Sequence, residues 1–163
     1  TAGVAPLTVR FSDRSRPYPM FNWRWTFGDG NVSREQNPVH VYTEPGEYTV
    51  QFSAQASSHW SGGPPFMWIA LWDMVPYPIS LGSPITVYPP PSALPGQDQA
   101  PRDPDGDGRY EDLNGNGRTD FADVVLYFDR MDWIAANGPA VAFDQNGNGR
   151  VDFADVVALF DAL

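Results

Sequence analysis

The chain has 163 residues and contains neither cysteine nor lysine. Without cysteine no disulfide can staple a small domain, and the redox compartment cannot be read from thiol use. All ten basic residues are therefore arginines, set against twenty acids for a formal net charge of −10. No apolar run reaches the roughly 18–20 residues that span a bilayer, which argues against membrane insertion by a helix. No secretory leader is visible, and the start at Thr-Ala-Gly, without Met, suggests a processed or excised chain. Hydrophobic residues make up 42% and aromatics 14%. That is enough to build a core, so wholesale disorder is not expected.

The charge is unevenly placed. Residues 1–95 hold six acids and five arginines, whereas residues 96–163 hold fourteen acids and five arginines. A nucleic-acid partner needs a basic footprint, so the acidic half argues against that class. A solvated surface or multivalent cations would both account for it.

The stretch "YPPPSALPGQDQAPRDP" (88–104) divides the sequence. Prolines fix φ and favour extended chain, so a semi-rigid spacer is expected over 90–102. Before it lie short runs rich in Val, Thr and aromatics: 7–13, 21–27, 38–44, 47–55 and 84–89. Turn signals at "GDGN" (28–31), "NP" (37–38) and "EPGE" (44–47) separate them. Several short strands at this spacing predict a β-sandwich.

"APLTVRFSDRS" followed by "WRWTFGDGNVSREQNPVHVYTEPGEYTV" resembles the PKD domain family. The resemblance implies an immunoglobulin-like all-β sandwich over residues 1–89. It also implies an extracellular or cell-surface spacer or interaction module. The insert at 56–83 departs from that family. In it, Phe66, Trp68 and Trp72 would share one strand face of "FMWIALWDM" (66–74), with Met67, Ile69 and Leu71 on the other. Such a strand must be covered on both faces. It either folds back as core or offers a surface to a partner or to another copy of the chain.

After the prolines the sequence repeats itself. "DLNGNGRTDFADVV" (112–125) returns as "DQNGNGRVDFADVV" (144–157), and over 112–131 and 144–163 fourteen of twenty residues are identical. A calcium loop needs oxygen donors at positions 1, 3, 5, 7, 9 and 12, with glycine at 6 for the turn. The first copy offers Asp112, Asn114, Asn116, the Arg118 carbonyl, Asp120 and Asp123. The second offers Asp144, Asn146, Asn148, the Arg150 carbonyl, Asp152 and Asp155. Every slot is filled twice in register, so two calcium ions are expected. Neutral Asn at positions 3 and 5 and Asp at 12 favour modest affinity, suited to roughly millimolar extracellular calcium. Just upstream, Asp103, Asp105, Asp107, the Arg109 carbonyl and Glu111 or Asp112 form an overlapping pattern that could hold a third ion. The alternative there is a solvated acidic linker.

Each loop runs into an apolar stripe at i, i+3, i+4, i+7: Phe121, Val124, Val125 and Phe128, then Phe153, Val156, Val157 and Phe160. Loop–helix units lacking an entering helix resemble a type I dockerin over 103–163. The resemblance implies a small all-α, EF-hand-like module of duplicated loop–helix motifs that binds a cohesin-like protein partner. Where many dockerins carry Ser or Thr, this chain has Phe121-Ala122 and Phe153-Ala154. These phenylalanines are either helix–helix core or an apolar docking surface.

Catalysis finds little support. His40 and His59 lie far apart, no phosphate loop occurs, and nearly all acids belong to the loops. Asp29 in "GDG" is expected to close a turn, and Asn31 opens an Asn-Val-Ser glycosylation sequon. The functional expectation is non-catalytic, calcium-dependent extracellular assembly. Alternatives are a self-assembling fibre or surface-layer subunit and the C-terminal part of a secreted hydrolase.

Overall fold

The computed structural model describes residues 1–14, 20–56, 79–80 and 82–163. The apolar run 66–74, with Phe66, Trp68 and Trp72, lies outside the described residues. The chain divides into two compact units, one of Thr1 with Pro6–Thr86 and one of Ala2–Ala5 with Val87–Leu163.

The first unit is β-rich. Strands β2 (Leu7–Arg10) and β5 (Val39–Tyr42) pair antiparallel. Strands β3 (Met20–Thr26), β4 (Val32–Ser33), β7 (Gln51–Ala56) and β8 (Ile79–Ser80) form a sheet in the order β4-β3-β7-β8. A short β6 (Gly46–Tyr48) precedes β7. Alternation along β3 turns Trp25 inward and leaves Arg24 exposed, the period expected of a strand with one covered face. Aromatic rings fill the interior: Trp25 lies 4.4 Å from Phe52, and Phe11 lies 5.3 Å from both Trp25 and Phe27. The Trp25 indole N–H donates to the Glu35 carbonyl at 3.0 Å, which satisfies its one polar atom in the core.

The turn after β3 depends on glycine. Gly28 has φ +90°, and a Cβ there would stand 2.8 Å from the Thr49 carbonyl oxygen. Asp29 closes this turn, as the sequence predicts, by accepting from the Asn31 backbone N–H at 2.9 Å and its side-chain amide at 3.0 Å. His40 Nε2 lies 2.7 Å from the same carboxylate, and its ring stacks on Phe27 at 4.1 Å. Burial opposes ionisation of Asp29, but the bonds from Asn31 and His40 outweigh it and hold the carboxyl below its usual range.

Tyr42 is buried between His40 and Tyr48, and its hydroxyl donates to the Phe27 carbonyl at 3.0 Å. Burial, then the nearby Asp29 and Tyr48, push that hydroxyl well above the ordinary tyrosine range. A raised folded-state value means the stabilisation is complete below the free tyrosine pKa of about 10 and is lost as pH rises above it. Thermal melts of the chain should therefore show the β-rich unit weakening above about pH 10. Tyr42→Phe should flatten that dependence while costing about 1–3 kcal/mol, because the Phe27 carbonyl loses its donor.

The second unit is mostly helical. It contains β1 (Ala2–Val4), α1 (Phe121–Asn137), α2 (Ala140–Phe143) and α3 (Phe153–Asp161). Strand β9 (Ile85–Tyr88) leads into it, and the Ala5 N–H donates to the Tyr88 carbonyl at 2.9 Å. Its core gathers Leu94, Leu113, Tyr127, Ile134, Phe143 and Leu159, with Val4 packed at the edge. Residues 90–102, read from their prolines as a spacer, lie inside this unit. Leu94 is 2% exposed, Pro101 is buried, and Arg102 bridges antiparallel to Asp112. One leucine in a proline-rich stretch is enough to bring that stretch onto the core, because burying it is worth about 1.5–3 kcal/mol.

Candidate functional site

The repeated loops fold to the same local plan, set by short side chains that bond to the backbone just ahead of them. In the first, Asp112 Oδ1 accepts from Asn116 N–H at 3.0 Å and Oδ2 from Gly117 N–H at 2.7 Å. In the second, Asp144 accepts from Asn148 at 2.9 Å and Gly149 at 2.7 Å. Asn114 and Asn146 accept from positions 116 and 148, and those two accept in turn from Arg118 and Arg150. The twelfth-position acids reach back: Asp123 accepts from Asn114 at 3.1 Å and Asp120 at 2.9 Å, and Asp155 accepts from Asn146 at 3.1 Å and Asp152 at 2.8 Å. The bonds match pair for pair across a shift of 32 residues.

These acids also start the helices. Asp120 and Asp152 are N-caps, and each forms a reciprocal capping box with Asp123 or Asp155 three residues on. Loop closure and helix initiation thus share the same carboxylates. Asp112, Asp123 and Asp155 are 0% exposed and Asp144 is 9% exposed. Among the described residues, the ion pairs are His40–Asp29, Arg109–Asp107 and Arg150–Asp152, so none of these four buried acids has a cationic partner. Burying a charge without a counter-charge is costly. Burial raises the Asp123 carboxyl above its usual range, with the nearby Asp112 and Asp120 adding to the rise and two backbone bonds opposing it. Each carboxylate oxygen that accepts one N–H keeps a further lone pair, so the donor set still has capacity for a hard cation.

The upstream loop has a similar backbone plan, but its first acid accepts from the fourth and sixth residues rather than the fifth and sixth. Asp103 accepts from Gly106 at 2.7 Å and Gly108 at 2.8 Å, Asp105 from Asp107 at 3.0 Å, and Asp107 from Arg109 at 2.8 Å. The fourth and sixth residues of all three loops are glycines with φ between +71° and +95°. Asp103, Asp105, Asp107 and Glu111 bring carboxylate oxygens within 4.8 Å of one another. Asp112 is engaged with the first repeated loop, which leaves Glu111 as the last acid of this one. Glu111 Oε2 is buried with no hydrogen-bond partner. Burial, with the charges of Asp105, Asp107 and Asp103, pushes Glu111 up to about 7 although its own backbone N–H opposes this. This is the response of acids crowded without a counter-charge.

The apolar stripe on each helix divides. Val124 and Val156 are buried with Tyr127 and Leu159, whereas Phe121, Val125 and Phe128, and Phe153, Val157 and Phe160, are exposed. Phe121 and Phe153 are thus not helix–helix core; they are 60% and 55% exposed. The cause is the capping box. Asp123 and Asp155 must turn toward their loops, which fixes helix rotation and leaves the i, i+4, i+7 phenylalanine stripe on an adjoining face. Phe121 meets Phe160 edge-on at 6.2 Å, and Phe128 meets Phe153 at 6.1 Å. The start of α1 therefore lies against the end of α3, and the start of α3 against the middle of α1, so the helices run antiparallel over the first half of α1. Phe128, Phe160, Val125 and Val157 were not singled out as surface from the sequence. The signal that finds them is the phase of Asp123 and Asp155. Asn31, the sequon residue, is exposed in the 28–31 turn with its amide held by Asp29.

Comparison with known proteins bears on the first unit. Residues 2–62 match the PKD domain family. Collagenase ColA of Bacillus cereus is 47% identical over 59 residues, which is 34% of this chain and 6% of that protein. The similarity is therefore to a small non-catalytic part of a much longer enzyme. The β-rich sheets and aromatic interior fit a PKD, immunoglobulin-like domain, followed by a small helical region. Among the described residues, no helix is long and apolar enough to cross a membrane.

Proposed function

We propose that this chain is a non-catalytic, extracellular assembly piece, in which a PKD-like spacer carries a calcium-ordered, dockerin-like docking module. The observation that carries the reading is the coupling at the helix starts: the acids that would hold calcium also cap the helices and set which face is exposed. Asp112, Asn114, Asn116, the Arg118 carbonyl, Asp120 and Asp123 would hold one ion, and the matching set from Asp144 to Asp155 a second. Asp103, Asp105, Asp107, the Arg109 carbonyl and Glu111 would hold a third, for which the orphaned Glu111 oxygen is the support. The donors are all oxygen, which suits calcium. When bound, the ion supplies positive charge to buried carboxylates and rigidity to the turns, and no chemistry is assigned to it.

The occupant of the phenylalanine face is a cohesin-like protein domain with an apolar centre and a basic rim. Charge supports this choice. Asp129, Asp132 and Asp161 are exposed on the two helices, neither helix has a basic residue in its last turn, and Arg130 is turned to the Pro95 carbonyl at 3.1 Å. A second copy would set acid against acid, so the chain should sediment as a monomer in calcium. Titration against cohesin domains with apolar, basic-rimmed faces should show saturable binding. Phe128→Ala with Phe160→Ala should weaken it by about 30-fold or more, as hot-spot aromatics do, while helix content holds. Calcium-dependent polymers, or binding that the double variant leaves intact, would overturn this assignment.

The collagenase relative favours a second reading, that the chain is the non-catalytic end of a longer secreted hydrolase. It predicts a catalytic domain in the same polypeptide, which the complete reading frame decides.

A further inference from the structure

The outer face of the four-stranded sheet carries a cleft of about 480 Å³, lined among the described residues by Asn22, Trp23, Arg24, Arg34, Ser53 and Gln55. That volume lies within the roughly 300–1,000 Å³ of small-ligand sites. Register explains how these residues meet. Trp25 pairs with Ser33 and Thr26 with Val32, and Arg34 directly follows the end of β4 at this edge of the sheet. On the other side Arg24 pairs with Ser53, and Phe21 with Gln55. A bulge between Phe21 and Arg24 shifts the register, and Asn22 within it has φ +54°. Asparagine tolerates the left-handed region better than most side chains, and bulges commonly re-aim side chains beside sites.

Arg24 and Arg34 line one cleft, where like charges repel. Yet no ion pair or hydrogen bond ties either guanidinium to another described residue, in a chain with twice as many acids as arginines. The neighbours suit a hydroxylated ligand. Asn22 Nδ2 donates to Gln55 Oε1 at 2.6 Å, which leaves the Asn22 carbonyl and the Gln55 amide N–H groups for other partners. The Trp23 indole N–H is anchored on Asp13 at 3.0 Å, which fixes the ring as a wall of the cleft.

The geometry points to a binding site for a carboxylated saccharide, with uronic-acid units as the ligand class. Arg24 and Arg34 pair with the carboxylate, for which the guanidinium fork is well matched. Trp23 covers an apolar sugar face, and Asn22, Ser53 and Gln55 bond its hydroxyls. This inference concerns the β-rich unit and is independent of the docking reading.

The test is calorimetric titration of the whole chain, at fixed free calcium, with a short uronic-acid oligosaccharide, its methyl ester and a short glutamate peptide. The free acid should bind, more weakly as salt is raised, and the ester should bind at least 10-fold less well. Arg24→Gln with Arg34→Gln should lose at least 10-fold in affinity for the acid while the melting midpoint of the β-rich unit holds or rises, because neither guanidinium is tied to another described residue. Equal binding of the ester, undiminished binding by the double variant, or a fall in its melting midpoint would overturn the site. Glutamate peptide binding as tightly as the saccharide would overturn the ligand class.

Discussion

Chelation of calcium should abolish most of the helical signal of residues 87–163 while the β-rich unit keeps its fold. The size of the effect follows from linkage. At about 1 mM calcium, a site with a dissociation constant near 0.1 mM contributes about 1.4 kcal/mol, so two such sites contribute about 3 kcal/mol. A unit of this length has a total stability of about 4–11 kcal/mol at typical values per residue. Calcium would therefore supply a large share of it. Removal is felt twice, because Asp112, Asp123, Asp144 and Asp155 remain buried without a counter-charge. Two of them, Asp123 and Asp155, also complete the capping boxes of Asp120 and Asp152 at the starts of α1 and α3, so their rearrangement unseats the helix starts. Far-ultraviolet circular dichroism with excess EDTA, then with calcium restored, measures this directly. A helical signal and melting profile that EDTA leaves unchanged would refute the calcium reading. Magnesium should restore the signal poorly, since it demands near-octahedral geometry and sheds water reluctantly.

What was legible in the sequence was what local chemistry decides. Gly28, Gly117 and Gly149 mark turns because positive φ is nearly closed to other residues, and all three have it. The helix starts after each loop were legible from the apolar stripes that begin at Phe121 and Phe153, whereas the capping by Asp120 and Asp152, read in the sequence as ligands, was not. The PKD pattern over the first strands was equally open, since aromatic and turn residues sit at fixed intervals. What depended on tertiary context was harder. Leu94 looks like one apolar residue in a semi-rigid proline spacer, and only the helical core shows why that stretch is held. The exposure of Phe121 and Phe153 was open between two readings because an amphipathic stripe gives a period but no absolute rotation. The missing phase was carried by Asp123 and Asp155, read in the sequence as ligands and acting in the structure also as capping residues. The four-residue α2 fell below the length at which periodicity can be seen.

Tyr127→Ala should be the most damaging single substitution in the helical unit, costing about 3–5 kcal/mol by the usual cost of emptying a large buried site. The residue is 0% exposed at the centre of the core, against Phe143 and among Leu113, Ile134 and Leu159. Its counterpart in the second copy is Leu159, equally buried, so the position itself asks only for bulk. The hydroxyl is what distinguishes the first copy. It donates to the Phe143 carbonyl at the end of α2, one residue before Asp144 opens the second loop. Tyr127→Phe keeps the volume and strands that carbonyl, at about 1–3 kcal/mol. Denaturant melts of the calcium-loaded chain should show both losses in the helical transition alone, with the β-rich transition unmoved. Because the lost bond fixes the entry to the second loop, Tyr127→Phe should also weaken one calcium site more than the other. Titration of the variant should then resolve a weaker site where the wild-type sites are closely matched, whereas an even loss at both would mean that the bond stabilises the core without orienting Asp144.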